Sequence, residues 1–291
     1  MKSTDKKKEI PTNFPDIQTA EQLKMYLDDS ANRLKNSRFL YHYTTVSNVI
    51  KILRSKTWHL GNASGMNDRL EYKTGQSIDP NRWNNLFFSS LMCEDKENIG
   101  MWSMYSQPWE KGVKITLPRK TVLNWIKETK RLLEISPTDL QPTGKEIIVD
   151  GHNVSLRLSS VAYSNADSLQ DNEQEKITWS NTKNYNIRQP MLRPELIGYI
   201  KNIAWSYEKE VRIKAEFNNS SGMQRVAVPL TDEVIKKMNI TAGPLFEGSL
   251  KDVLLKEAVY EINTEQSIFT GQLNIKNPCL ECELKQGQST Q

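Results

Sequence analysis

The stretch Phe39-Leu40-Tyr41-His42-Tyr43-Thr44-Thr45-Val46 decides how the rest of the chain is read. Its first five residues are short of helix formers and rich in large flat side chains, which suits a strand. Thr44, Thr45 and Ser47 then offer hydroxyls to cap a helix, and Val46, Val49, Ile50, Ile52 and Leu53 recur at helical spacing. A strand running straight into an amphipathic helix predicts an α+β protein.

Working outward, residues 1–16 read as a flexible leader, and Ile17 to Arg38 as a helix that opens on Thr19, Glu21 and Gln22. Downstream, strands are predicted at Thr57–Leu60, Leu86–Leu91, Gly112–Leu117, Glu146–Val149, Val154–Leu158 and Ser160–Tyr163. Gly61 to Gly65 reads as a loop and Asn98 to Ser106 as a short helix. Pro118 to Leu133 reads as one helix, residues 164–188 as a polar excursion and Arg193–Ile203 as a helix. Glu210–Phe217 and Arg225–Val228 are expected to pair as strands. Thr231–Met238 reads as a helix, Val253–Leu255 as a last strand and Glu265–Phe269 as a closing helix. No repeat or biased linker divides the chain, so the expected organisation is a leader (1–16), one domain (17–275) and a polar tail (276–291). The sheet is expected to be mixed or split, with flanking helices and the His42 strand near its centre.

At 291 residues the chain is long enough to bury a sizeable core. No run of about 18 apolar residues suggests a membrane span, and no apolar stretch follows the charged N-terminus as in a secretory signal, so a cytoplasmic location is expected. A net charge of +4 admits an anionic ligand without demanding nucleic acid. Three cysteines make no disulfide framework. Cys279-x-x-Cys282 is half a zinc site, with only Cys93, His42, His59 and His152 to complete it, so no metal is expected.

Three constellations can carry chemistry. His42 and Thr44 alternate on a strand and so share a face, an imidazole beside a hydroxyl that suits a sugar diol. In Trp205-Ser-Tyr-Glu208-Lys-Glu210-Val-Arg212, strand alternation puts two carboxylates and a guanidinium on one side. They form either a structural ion pair or a carboxylate that meets positive charge on a sugar carbon, held ionised by the arginine. Met101-Trp-Ser103-Met-Tyr105 is either a core helix or an aromatic platform with a hydroxyl donor. Met66-Asn67-Asp68-Arg-Leu-Glu71 reads as a helix start, with Asn67 or Asp68 as the cap and Glu71 near the positive end of the helix dipole. Walker, Rossmann, Gly-x-Ser-x-Gly and His-Glu-x-x-His patterns are missing, which weakens kinase, dehydrogenase, hydrolase and metalloprotease readings.

The order Tyr-His-Tyr-Thr, Asn-Asp-x-x-Glu, Phe-Phe-Ser-Ser, Met-Trp-Ser-Met-Tyr with Gly112-Val-Lys-Ile, Val161-Ala-Tyr163 and Glu-Lys-Glu-Val-Arg resembles a bacterial domain family of unknown function. The likeness runs from about Phe39 to Phe269.

A second resemblance is to ADP-ribosyltransferases. It rests on His42 and Thr44 followed by Asn48-Val-Ile-Lys-Ile52-Leu53, on Tyr105 and on Glu210 in a late strand. It implies an ADP-ribosyltransferase-like fold and an enzyme that consumes NAD, in a bacterial stress, toxin or anti-phage setting. His42, Tyr105 and Glu210 would be catalytic, and Thr44, Ser103, Glu208 and Arg212 would bind the dinucleotide. Its partners would be a protein or nucleic-acid acceptor and a regulatory, antitoxin-like protein. This chain departs from the pattern in having Tyr43 where many such enzymes have glycine, in the spacing around Tyr105, and in the rival carboxylate Glu208. Two other readings stay open. One is a metal-independent ribonuclease with His42, Glu210 and Arg212 as base, acid and phosphate clamp; the other is a non-catalytic module that binds a nucleotide or a protein. The enzymatic reading requires His42, Tyr105 and Glu210 to converge.

Overall fold

The computed structural model describes residues 20–66, 68–94, 96–164, 197–257 and 262–272. The leader 1–16, Asn67, nearly all of the excursion 164–188, residues 193–196, Cys279, Cys282 and the tail lie outside the described residues.

Helix α1 (Ala20–Asn36) leads into β1 (Phe39–Thr45), α2 (Val46–Ser55) and β2 (Thr57–Asn62). After α3 (Arg69–Ile78) and α4 (Pro80–Asn84) come β3 (Leu86–Met92), α5 (Ile99–Tyr105), β4 (Gly112–Pro118) and α6 (Arg119–Glu128). Strands β5 (Arg131–Ile135), β6 (Pro142–Ile148), β7 (Val154–Ser160), β8 (Ala162–Ser164) and β9 (Ile200–Asn202) precede a short 3₁₀ segment, Ile203–Glu208. The chain continues with β10 (Glu210–Phe217), β11 (Arg225–Pro229), α7 (Asp232–Lys236), β12 (Asn239–Ala242), α8 (Leu250–Glu257) and β13 (Asn263–Gln266).

Among the described residues eleven strands form one sheet in the order β13-β12-β4-β1-β3-β2-β11-β5-β6, with β10 pairing β3 and β7. All pairs are antiparallel except β12 with β13, so the sheet is mixed and the fold α+β, with β1 near the centre as expected. The parallel pair β8–β9 stands apart.

Alternation along the central strands sorts side chains into two layers. Val211, Ile213, Ala215 and Phe217 of β10, with Phe87 and Leu91 of β3, pack into the main core. That core is roofed by Val49 and Leu53 of α2, Val122 and Trp125 of α6, and residues of α7 and α8. Each such side chain contributes about 1.5–3 kcal/mol on burial. The opposite face carries Leu86 and Phe88 of β3 against Tyr26 of α1, Trp83 of α4 and Ile200 of β9. Further along it, Tyr41, Tyr43 and Met92 pack on Met101 and Trp102 of α5.

The centre of the sheet is forked. Strand β3 pairs with β10 along its whole length, but on its other edge it meets β2 only at Phe87 and Phe88 and β1 only at Met92. Between these contacts, at Ser89, Ser90 and Leu91, β1 and β2 splay apart.

Several expectations are corrected. The helix predicted over Pro118–Leu133 stops at Glu128, and Arg131–Ile135 is a strand; the apolar spacing of both halves fits one continuous helix, and pairing with β6 and β11 decides otherwise. Within Arg193–Ile203, Ile200–Asn202 is a strand beside β8. β10 and β11 do not pair with each other; each joins other strands. Val253–Leu255 lies inside helix α8, and the closing helix predicted at Glu265–Phe269 is instead the end of strand β13 followed by a turn. Gly61 and Asn62 belong to β2, with a 3₁₀ turn after them.

Candidate functional site

The first part of the site sits in the fork. His42 Nδ1 donates to the carbonyl oxygen of Ser90 at 3.0 Å, a carbonyl that splaying leaves without a strand partner on that edge. Burial lowers the His42 pKa, against a smaller upward pull from the Ser90 carbonyl, so the imidazole is neutral at pH 7 and its Nε2 is an acceptor. Trp58 of β2 meets the His42 ring edge-on at 5.1 Å and donates its Nε1–H to Ser89 Oγ at 2.8 Å. Thr44, two residues on, shares the face as predicted; its hydroxyl accepts from Asn48 Nδ2 at 3.0 Å. His42, Thr44, Asn48, Trp58 and Ser89 line a cavity of about 560 Å³, within the usual range for small-molecule sites.

The second part lies on the other side of β3 and is a chain of buried charges. Arg212 is wholly buried on β10 and holds Glu71 of α3 at 2.5 and 2.8 Å and Glu210 at 2.7 and 3.1 Å. Its Nη1 also donates to Gly198 O at 3.1 Å, where a positive φ of 77° and a Phe88 ring 2.6 Å from any added Cβ both require glycine. Lys201 of β9 reaches Glu208 at 2.6 Å and Glu210 at 3.2 Å. Tyr105 donates its hydroxyl to Glu208. Burial would raise the Glu210 pKa, but Arg212, Lys201 and hydrogen bonds from Arg212 and Ser90 hold it at about 2. Glu208 is pushed the other way, by burial and then by Glu210, against the pull of Lys201. Unequal environments thus keep one carboxylate firmly ionised beside a more basic one.

Ser90 joins the two parts. Its carbonyl receives His42 on one side, and its hydroxyl donates to Glu210 Oε1 at 2.5 Å on the other. Between the buried Ser89 and Leu91, in the middle of a central strand, Ser90 is exposed.

His42 and Glu210 are therefore one residue apart through Ser90, and Lys201 and Glu208 continue the chain to Tyr105. The three do not line one cavity. His42 and Thr44 face the fork; Tyr105, Ser103, Glu208, Glu210 and Arg212 do not border that cavity. Glu208 ends the 3₁₀ segment, and Lys209 turns the chain at a φ of 44°, so Glu208 does not belong to the strand face on which Glu210 and Arg212 alternate. Ser103 is exposed on α5; two residues before Tyr105 on a helix, it points another way and takes no part in the network. Asp68 caps α3 through Leu70 N and Glu71 N, as predicted. Four participants escaped the sequence reading: Glu71 as an ion-pair partner, Lys201, Ser90 and Trp58. Two carboxylates set against one arginine are a signal that a further cation is needed.

Residues 101–213 match the family model described as "Protein of unknown function (DUF2971)". The matched segment holds Tyr105, Lys201, Glu208, Glu210 and Arg212, whereas His42, Glu71 and Ser90 precede it. No curated protein sequence matches the chain. Solved structures with some likeness include Thermus sp. 2.9 DarT in complex with carba-NAD+, at 10% identity and a TM-score of 0.32, covering 80% of this chain and 97% of that one. The same protein in complex with NAD+ aligns at 13% identity and a TM-score of 0.32, over 79% and 96%. Among the described residues no three His, Cys, Asp or Glu side chains are grouped to hold a metal, and no helix is long and apolar enough to cross a membrane.

Proposed function

We propose that this protein is an NAD-consuming enzyme of ADP-ribosyltransferase type, with the reacting ribose seated over Ser90. The observation that carries the reading is the exposure of Ser90 in the middle of a central strand, hydrogen-bonded to the ionised Glu210 and to His42. In the reaction the bond between ribose C1′ and the nicotinamide nitrogen breaks, and its electron pair leaves with nicotinamide. The sugar is left as an oxocarbenium ion, which an acceptor hydroxyl or water attacks with loss of a proton. Glu210 supplies fixed negative charge where positive charge develops. The half-exposed Tyr105 ring offers a face to nicotinamide, and the neutral Nε2 of His42, on the other side of Ser90, accepts from a hydroxyl of the remainder of the dinucleotide. Arg212, fully buried between Glu71 and Glu210, orients Glu210 and does not touch the ligand. The acceptor, a regulatory partner, a role in bacterial defence and a cytoplasmic location are parts of the same proposal.

The ribonuclease reading loses its support. A glutamate held at about pKa 2 is no general acid, and an arginine shut between two carboxylates is no phosphate clamp. A non-catalytic module keeps two specific arguments: His42, Tyr105 and Glu210 do not converge on one cavity as the enzymatic reading requires, and both Glu210 oxygens already have partners.

Nicotinamide release from NAD, with and without cell extract as acceptor, separates the two. The enzyme reading expects turnover that falls at least about 10²-fold in Glu210→Gln, and less in Glu208→Gln, with both variants folded. No release by the folded wild type hands the case to the binding module.

A further inference from the structure

The rim of the fork cavity carries more positive charge than the fold uses. Lys51 of α2 and Arg225 of β11 both border it, and neither has a carboxylate within ion-pair distance among the described residues. Arg54 is a third cation there, tied at 2.5 Å to the exposed Glu257. His59 of β2 lies among them; after burial, Arg225 and Lys51 are the causes that lower its pKa, so both cations bear on that ring. Among the described residues one acid, Asp139, borders the same cavity, and its carboxylate accepts from Gln141 N at 3.1 Å. Two cations without an ion-pair partner on the rim of one cavity leave a place for an anion.

We infer that Lys51 and Arg225 form a phosphate site at the mouth of the fork cavity, which takes the pyrophosphate of a nucleotide whose ribose reaches His42 and Thr44. The inference rests on the NAD reading for the choice of nucleotide; the cation pair is independent of any catalysis. Arg225 suits forked binding to phosphate oxygens, Lys51 adds a mobile point charge, and neutral His59 can donate one hydrogen bond. Trp58, buried edge-on to His42, backs the cavity wall.

Calorimetric titration of the full chain tests it, with ADP-ribose, inorganic pyrophosphate and adenosine as probes. ADP-ribose should bind, pyrophosphate should bind more weakly, and adenosine should not be held at comparable concentration. Lys51→Gln and Arg225→Gln should each weaken ADP-ribose about 10- to 100-fold. Lys51 is exposed on α2, so its variant stays folded even where a strand variant does not. The inference is overturned if ADP-ribose does not bind, or if it binds both variants as it binds the wild type. Binding that needs Lys51 and Arg225 in a protein that never releases nicotinamide upholds the phosphate site and sinks the enzymatic reading. Nicotinamide release with ADP-ribose binding unmoved by either variant does the reverse.

Discussion

Arg212 and Glu71, 141 positions apart in the chain, meet in a two-point ion pair at 2.5 and 2.8 Å, with the guanidinium completely withdrawn from water. The pair ties helix α3 to the central strand β10 and leaves Arg212 one further fork for Glu210. It is a structural device placed directly behind the candidate carboxylate.

Removing one partner of such a pair strands the other charge. Glu71→Ala should therefore lower the unfolding free energy by about 3–5 kcal/mol in urea melts. The double variant Glu71→Ala with Arg212→Met should be more destabilised than Glu71→Ala alone, because Arg212 keeps Glu210 as its partner when Glu71 is lost, whereas removing Arg212 leaves the buried Glu210 with Lys201 alone. A loss of less than about 1 kcal/mol for Glu71→Ala, the behaviour of an exposed pair, would contradict the burial argument.

Asp68 sets the start of the same helix. Its Oδ1 accepts from Leu70 N at 2.9 Å and Glu71 N at 3.1 Å, while its Oδ2 is buried without a hydrogen-bond partner. Asp68→Ala should cost about 0.5–2 kcal/mol, as for a lost cap. Asp68→Asn keeps the capping oxygen and should be nearly neutral in the same melts. An Asp68→Asn variant as unstable as Asp68→Ala would mean that the charge, not the cap, is what counts.

The depth of this network was partly legible in the sequence. The aromatic strand Phe39–Tyr43, its capped helix and the Asn-Asp-x-x-Glu start could be read because each is decided by neighbours within a turn or two. Glu71 with Arg212, and Lys201 with both glutamates, could not, since nothing local links residues that a sheet brings together. Lys201 was hidden further by an apolar pattern around Ile197 and Ile200 that suits a helix as well as a short buried strand. The same ambiguity disguised Arg131–Ile135 and Val253–Leu255. His42 and Glu210, picked from separate motifs, were expected to share a pocket and instead meet through Ser90, an exposed serine whose position depends on the fork that only strand pairing creates.

Lys214 offers a test by pH. It is fully buried on β10, donates to Ile197 O at 3.3 Å, and lies 4.0 Å from the centre of the Tyr199 ring. Burial, opposed by Glu216, lowers its pKa from 10.5 to about 7. Between those values the unfolded chain carries a proton that the folded one has released, so stability rises with pH across the window. Below it both states are charged, and the cost of burying the ammonium is fully present. Urea melts between pH 7 and about 9 should show that rise, and Lys214→Met should flatten it. The window stops short of the tyrosines Tyr26, Tyr43, Tyr105 and Tyr163, whose raised pKa values pull stability down above pH 10. An unchanged slope in Lys214→Met would assign the rise to another group.

Ser90 gives the sharpest test of where the ligand sits. Its hydroxyl is one of several groups that hold Glu210, with Arg212 and Lys201 remaining when it is lost. Ser90→Ala should therefore change stability by only about 0.5–1.5 kcal/mol and reduce nicotinamide release less than Glu210→Gln does. Ser90→Leu asks a different question. The position is exposed, so the larger side chain enters open space and the fold should hold. That side chain would cover the surface over Ser90 and keep a ribose from the Glu210 carboxylate. Nicotinamide release should then be lost, while binding of inorganic pyrophosphate at Lys51 and Arg225 persists. If folded Ser90→Leu releases nicotinamide at the wild-type rate, the ribose does not sit over Ser90, and the exposed serine that carries the functional reading has to be given up.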